Sequence, residues 1–243
     1  MASGIQAVAE AIDRIDWESV RSPDPPAFVR RSASRGLRAL ALAGDQAEAV
    51  GATGYLFDSV LVDRQLAVVM PAAAAAAPVL VGIAAHGHPW ARAGAGSLLG
   101  AMLEFLPFEG FTRVDTEHAT AVPLCCAVAH QVAAGRAELA ARGRESAGLL
   151  RAAEQHWRFE VTEAVGTGPQ GLFAVGDLTG ELPAGPVRAE LHTPAGGLSV
   201  IGVEVEYPAW AGGTEACLRV GSARGAGLDG AVLMPAGCGA RVY

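Results

Sequence analysis

The sequence predicts a multidomain chain of α and β structure, a helical domain over residues 1–155 followed by a small all-β barrel over residues 156–243. Three observations predict it. Apolar residues recur at spacings of three and four up to about residue 155, and from Trp157 they alternate with polar ones. Gly, Pro and Ser then divide the second part into at least six short strands, a pattern that suits a closed barrel. With 243 residues, 51% of them hydrophobic and 18% charged, the chain is long enough to bury a core in each part.

The elements follow in order. Ile5, Val8, Ala9 and Ile12 form the apolar stripe of a helix over Ala2 to Ile15. Ser22-Pro-Asp-Pro-Pro26 breaks it, because each proline restricts the residue before it. A second helix runs from Ala27 to Ala43 and stops at Gly44. Asp45, with Glu48 three residues on, has the pattern of a capping pair for a third helix reaching about Val62. Pro71 fits the first turn of the next, where its missing donor costs nothing, and Pro78 predicts a kink. After the turn His86-Gly-His-Pro89 comes a helix over Trp90 to Leu106, then a loop over Pro107 to Thr116. Helices over His118 to Ala134 and Arg136 to Glu154 complete this part. Strands are expected at Trp157 to Val165, Gly171 to Leu178, Val187 to His192, Leu198 to Tyr207, Glu215 to Val220 and Ala231 to Met234.

Charge narrows the function classes. All 18 basic residues are Arg, and both parts are acidic, with 13 Arg against 16 acids before Trp157 and 5 against 9 from it onward. Neither part has the basic balance of a nucleic-acid binder. A G-x-x-x-x-G-K-[ST] loop needs a lysine and the chain has none, so no guanine nucleotide is expected. The N-terminus lacks the pattern of a secretory signal, which points to the cytoplasm. The longest apolar run, Met70 to Ile83, falls short of the roughly 18 residues a membrane span needs, so no membrane partner is expected.

Pro78-Val-Leu-Val-Gly-Ile-Ala-Ala-His-Gly-His-Pro-Trp-Ala-Arg-Ala-Gly-Ala-Gly-Ser-Leu-Leu-Gly100, with a weaker echo from Pro26 to Leu40, resembles a repeat of the HEAT or armadillo type. The resemblance covers about residues 22–155 and implies stacked helical hairpins that bury a continuous core. Family turns usually carry an Asp before the proline, where this chain has Gly87-His88. From about residue 157, Phe159-Glu-Val-Thr-Glu-Ala-Val165, Phe173 to Leu182, Ile201-Gly-Val-Glu204, Ala211 to Val220 and Gly230-Ala-Val-Leu-Met-Pro235 resemble the second domain of translational GTPases of the elongation factor Tu type. That resemblance implies a recognition barrel, here without its G domain. Gly213 replaces the usual Asp of the glycine corner.

No complete catalytic, cofactor or metal signature can be assembled locally, so the expected function is a non-enzymatic interaction or adaptor protein, inhibitor-like in one version. It would bind a protein partner, basic in character, through the helical repeat. The candidate surface groups Tyr55, Phe57, Phe108 and Phe111 with Asp58, Asp63, Glu104, Glu109, Asp115 and Glu117. Aromatic residues anchor interfaces, and a carboxylate rim steers a basic partner. The alternative is a metal-dependent hydrolase using His86 and His88, which stand two apart as metal ligands can, with His118 or acids of the 109–118 loop completing the site. Cys125, Cys126, Cys217 and Cys238 show no C-x-x-C spacing and read as buried packing residues, with Cys217 and Cys238 close enough in the last strands to approach each other. No metal and no cofactor are expected from the sequence.

Overall fold

Val8 and Ile12 lie buried on the inner face of α1 (Ala2–Arg14), as their spacing requires, in a computed structural model that describes residues 2–58, 60–168, 171–208, 213–221 and 227–241. Pro26 opens α2 (Pro26–Leu42) within its first turn. Asp45 caps α3 (Gln46–Phe57) by accepting from the Glu48 amide at 2.9 Å, while Glu48 Oε2 accepts from the Gly44 amide at 2.8 Å.

Helix α3 ends at Phe57, short of the expected Val62. The residues beyond it turn back as a hairpin of β1 (Val62–Asp63) and β2 (Val68–Val69), whose β-branched valines suit a buried pleat better than a helix. Helices α4 (Ala72–His86) and α5 (Pro89–Glu104) follow as a helical hairpin around Gly87-His88. Helix α4 continues through Pro78, which is exposed and cannot donate to the Ala74 carbonyl. β3 (Leu106–Pro107) then pairs in parallel with β2.

The segment expected to be helical from His118 is largely irregular. β4 (Arg113–Val114) and β5 (Val122–Pro123) pair antiparallel, Ala121 has φ 53°, and α6 (Leu124–Ala134) begins only after Pro123. The helix expected over Arg136 to Glu154 is divided into α7 (Arg136–Ala140) and α8 (Arg144–Glu154) by Gly143 at φ 62°.

The second part matches its alternation closely. β6 (Arg158–Gly168), β7 (Gly171–Thr179), β8 (Val187–His192), β9 (Leu198–Tyr207), β10 (Glu215–Val220) and β11 (Val232–Pro235) close in the order β10-β7-β6-β11-β8-β9, and α9 (Ala236–Gly239) follows. Closure leaves no open sheet edge. Ala216, Leu218 and Val220 point inward from β10, and Phe159, Leu191 and Leu233 complete the barrel core. The start of the predicted glycine corner, Ala211-Gly212, lies outside the described residues.

Each part has its own core, and a third cluster joins them. Val122, Cys125, Cys126 and Ala127 from the helical part pack on Val232, Met234 and Cys238. Around it Arg241 donates to the Leu103 carbonyl at 2.9 Å, and His192 Nδ1 lies 3.1 Å from the Thr120 carbonyl. Among the described residues no helix is long and apolar enough to cross a membrane.

Candidate metal centre

The shared cluster brings four metal-ligating side chains together. Cys125 and Cys126 occupy the first turn of α6, His156 follows α8 just before β6, and Cys238 lies in α9 after the last barrel strand. All four are buried, and their ligand atoms lie within 4.8 Å of one another. His156 Nδ1 is 3.2 Å from Cys238 Sγ and 3.8 Å from Cys126 Sγ. A tetrahedral zinc with bonds of about 2.3 Å to sulfur and about 2.0 Å to nitrogen separates S from N by about 3.5 Å and S from S by about 3.8 Å. The observed S···N distances bracket that spacing.

Local structure favours charge on one of the sulfurs, Cys125. The first turn of a helix carries unpaired amides and the positive end of its dipole, which favour thiolate. Hydrogen bonds from Cys126 and Cys238, with His156 nearby, hold the Cys125 thiol far below its ordinary range. The same interaction with Cys125 raises Cys126, and raises Cys238 to about 12, with burial adding to both. Three sulfurs in so small a buried volume cannot all ionise without a cation, and a divalent ion supplies the charge that permits it.

A second polar cluster fixes the loop in front of this one. Arg113 makes a two-pronged pair with Glu190, through Nη1 at 2.9 Å to Oε2 and Nη2 at 2.7 Å to Oε1, and also donates to the Ala121 carbonyl at 2.8 Å. His192 Nε2 approaches Glu190 Oε2 at 3.4 Å. Burial alone would raise the Glu190 carboxyl, but its close contact with His192 and the hydrogen bonds and charge of Arg113 bring it down to about 2. Gly239, next to Cys238, lies against this pair: a Cβ there would overlap Glu190 Oε1 and the Arg113 guanidinium. The two clusters are thus mechanically connected.

The sequence-predicted residues divide between several places. The small sheet β1-β2-β3 brings residues 62–69 beside Leu106–Pro107, with Tyr55, Glu104 and Glu109 exposed. Arg64 pairs with Asp58 at 3.0 Å and stacks over Phe57 at 5.4 Å, and Asp63 accepts from the amides of Gln65 and Leu66. Phe108 and Phe111 contact each other at 6.2 Å between centroids and are partly buried. Asp115 and Glu117 instead line a cavity at the foot of α6, with Asp115 accepting from the Ala121 amide. His86 and His88 are exposed at the α4–α5 turn. Among the described residues one group of His, Cys and acidic side chains can share an ion, and it contains none of His86, His88 and His118. Cys217, on β10, is outside it too.

Sequence reasoning missed the convergence of Cys125, Cys126, His156 and Cys238. The one signal was an adjacent cysteine pair opening a helix, which packing explains equally well. Comparison of the chain with protein-family models, with curated proteins and with solved structures returns no match.

Proposed function

We propose that this chain is a zinc-binding, non-catalytic interaction protein in which a Cys3His centre staples the barrel to the helical part. The observation that carries this reading is the burial of four ligands of the right softness, drawn from both parts, within 4.8 Å of one another. Thiolate and imidazole together select zinc over hard cations, and a closed four-ligand set leaves no position for substrate. The expected cytoplasm, a reducing compartment, keeps the thiols free to act as ligands. The helical part as a HEAT-like array and the barrel as a translation-factor-type recognition module belong to the same proposal, resting on the motifs quoted above.

Metal analysis of reduced, full-length protein tests it. One zinc per chain is expected, with loss in Cys238→Ser and His156→Ala, and cobalt should give the visible absorption of a tetrahedral thiolate site. Reduced protein that neither retains zinc nor binds it on titration would overturn the proposal.

The partner surface is proposed on the exposed Tyr55, Glu104 and Glu109 around the small sheet. Affinity capture with wild type and with the Phe108→Ala, Glu109→Lys double variant tests that placement. A partner recovered equally by both shows that it binds elsewhere.

A further inference from the structure

A cavity of about 650 Å³ lies between the α1–α2 connection, the start of α4, the 113–121 segment and α6. Its size falls within the range of small-molecule sites, roughly 300–1,000 Å³. The 113–121 wall is held in place by the barrel, through Arg113 to Glu190, His118 to Glu160 and His192 to the Thr120 carbonyl. Val20, Pro71, Ala74, Ala75, Val114 and Ala127 give the lining an aliphatic body.

The lining also carries charges of both signs that have not paired with each other. On the α1–α2 connection, no nitrogen of Arg21 comes within 4.0 Å of a carboxylate oxygen among the described residues. On the 113–121 wall, Asp115 accepts from the Ala121 amide at 2.9 Å but has no cationic partner among the described residues, and Glu117 has only His118, at 3.4 Å. Arg113 is answered by Glu190, so it adds no free charge. On α6 the half-buried Gln131 lines the cavity, and its side chain makes no hydrogen bond with the described residues.

Opposite charges that line one cavity without meeting leave a place for a ligand that carries both. A lone anion on Arg21 would face Asp115 and Glu117, and a lone cation on those acids would face Arg21, so either loses part of what it gains. Arg21 and the acids stand on different walls, so the two ligand charges belong at separate ends rather than on one carbon. A guanidinium suits a carboxylate, and carboxylates suit an ammonium. The aliphatic lining suits what lies between them, and the free amide of Gln131 suits a peptide group, which both donates and accepts. We propose that this cavity binds a short aliphatic peptide with free ends, its carboxylate on Arg21 and its ammonium on Asp115 and Glu117.

The test titrates ¹⁵N-labelled full-length protein with alanyl-leucine and three relatives. These are its C-terminal amide, which lacks the carboxylate, N-propanoylleucine, which lacks the ammonium, and free leucine, which carries both charges on one carbon. Alanyl-leucine is expected to shift the amide resonances of the 113–121 segment and Gln131 saturably, in the millimolar range that a ligand of this size reaches. Arg21, Asp115 and Glu117 are exposed, so each end contributes modestly and each relative should bind about two- to fivefold more weakly. Arg21→Gln should remove the preference over the amide, and Asp115→Asn with Glu117→Gln the preference over N-propanoylleucine. Ala75→Phe, which fills the cavity, should abolish binding; if it does not fold, the charge variants at exposed positions still decide. Absence of a saturable shift at tens of millimolar alanyl-leucine, a relative that binds as tightly, preferences that persist in the charge variants, or binding that survives Ala75→Phe overturns the proposal.

Discussion

Replacing Glu190 with Gln removes the charge at the centre of the contact between the two parts. The carboxyl is 3% exposed and receives two hydrogen bonds from Arg113, with His192 adjacent. Its pKa is about 2, against an ordinary 4.5, so folding favours the ionised form. At about 1.4 kcal/mol per pH unit that difference corresponds to about 3 kcal/mol. The stabilisation is complete above the ordinary carboxylate value and is lost as pH falls through about 4.5 toward about 2. Loss of one partner also leaves Arg113 incompletely paired, and breaking buried pairs costs a similar amount, about 3 to 5 kcal/mol. Glu190→Gln should therefore lower stability by about 3 kcal/mol near pH 7, equivalent to about 6 to 12 °C in melting temperature for a chain of this size. Urea denaturation of both proteins at several pH values measures the gap directly. The gap should shrink as the solution is acidified, because the wild type alone loses this contribution. A gap that stays constant from about pH 6 to about pH 3, or is below about 0.5 kcal/mol at neutrality, would refute the reasoning.

Gly239→Ala should disturb both clusters, since its Cβ meets the Arg113–Glu190 pair while the residue adjoins Cys238, whereas at Gly237 a Cβ meets nothing within 4 Å. Melting temperature and zinc content should fall in Gly239→Ala and stay near wild type in Gly237→Ala; equal behaviour of the two contradicts the coupling. Fragments 1–155 and 156–243 should retain helical and strand-rich circular dichroism respectively, because each contains a core of its own. Neither fragment should hold zinc tightly, as Cys125 and Cys126 fall in one and His156 and Cys238 in the other. Stoichiometric zinc in either fragment would show that the ion does not join the parts.

The elements were largely legible from the sequence because periodicity and turn chemistry act between near neighbours. Ala216, Leu218 and Val220 announce the inward face of β10, and Asp45 with Glu48 marks the start of α3. The failures occurred where packing overrides the local pattern. Residues 118–123 lack a strong helix breaker before Pro123, yet they are drawn out of a helix to carry the Thr120 and Ala121 carbonyls to His192 and Arg113. The candidate metal centre was legible least of all. His156 lies 30 residues from Cys126 and 82 from Cys238, and no local spacing motif connects them. What the sequence alone determined is the division into helices and strands and the burial of their apolar faces. Only the tertiary structure decided which cysteines meet the histidine, because that depends on how the closed barrel seats its last turn against the first turn of α6, a contact between surfaces that neither part's own periodicity encodes.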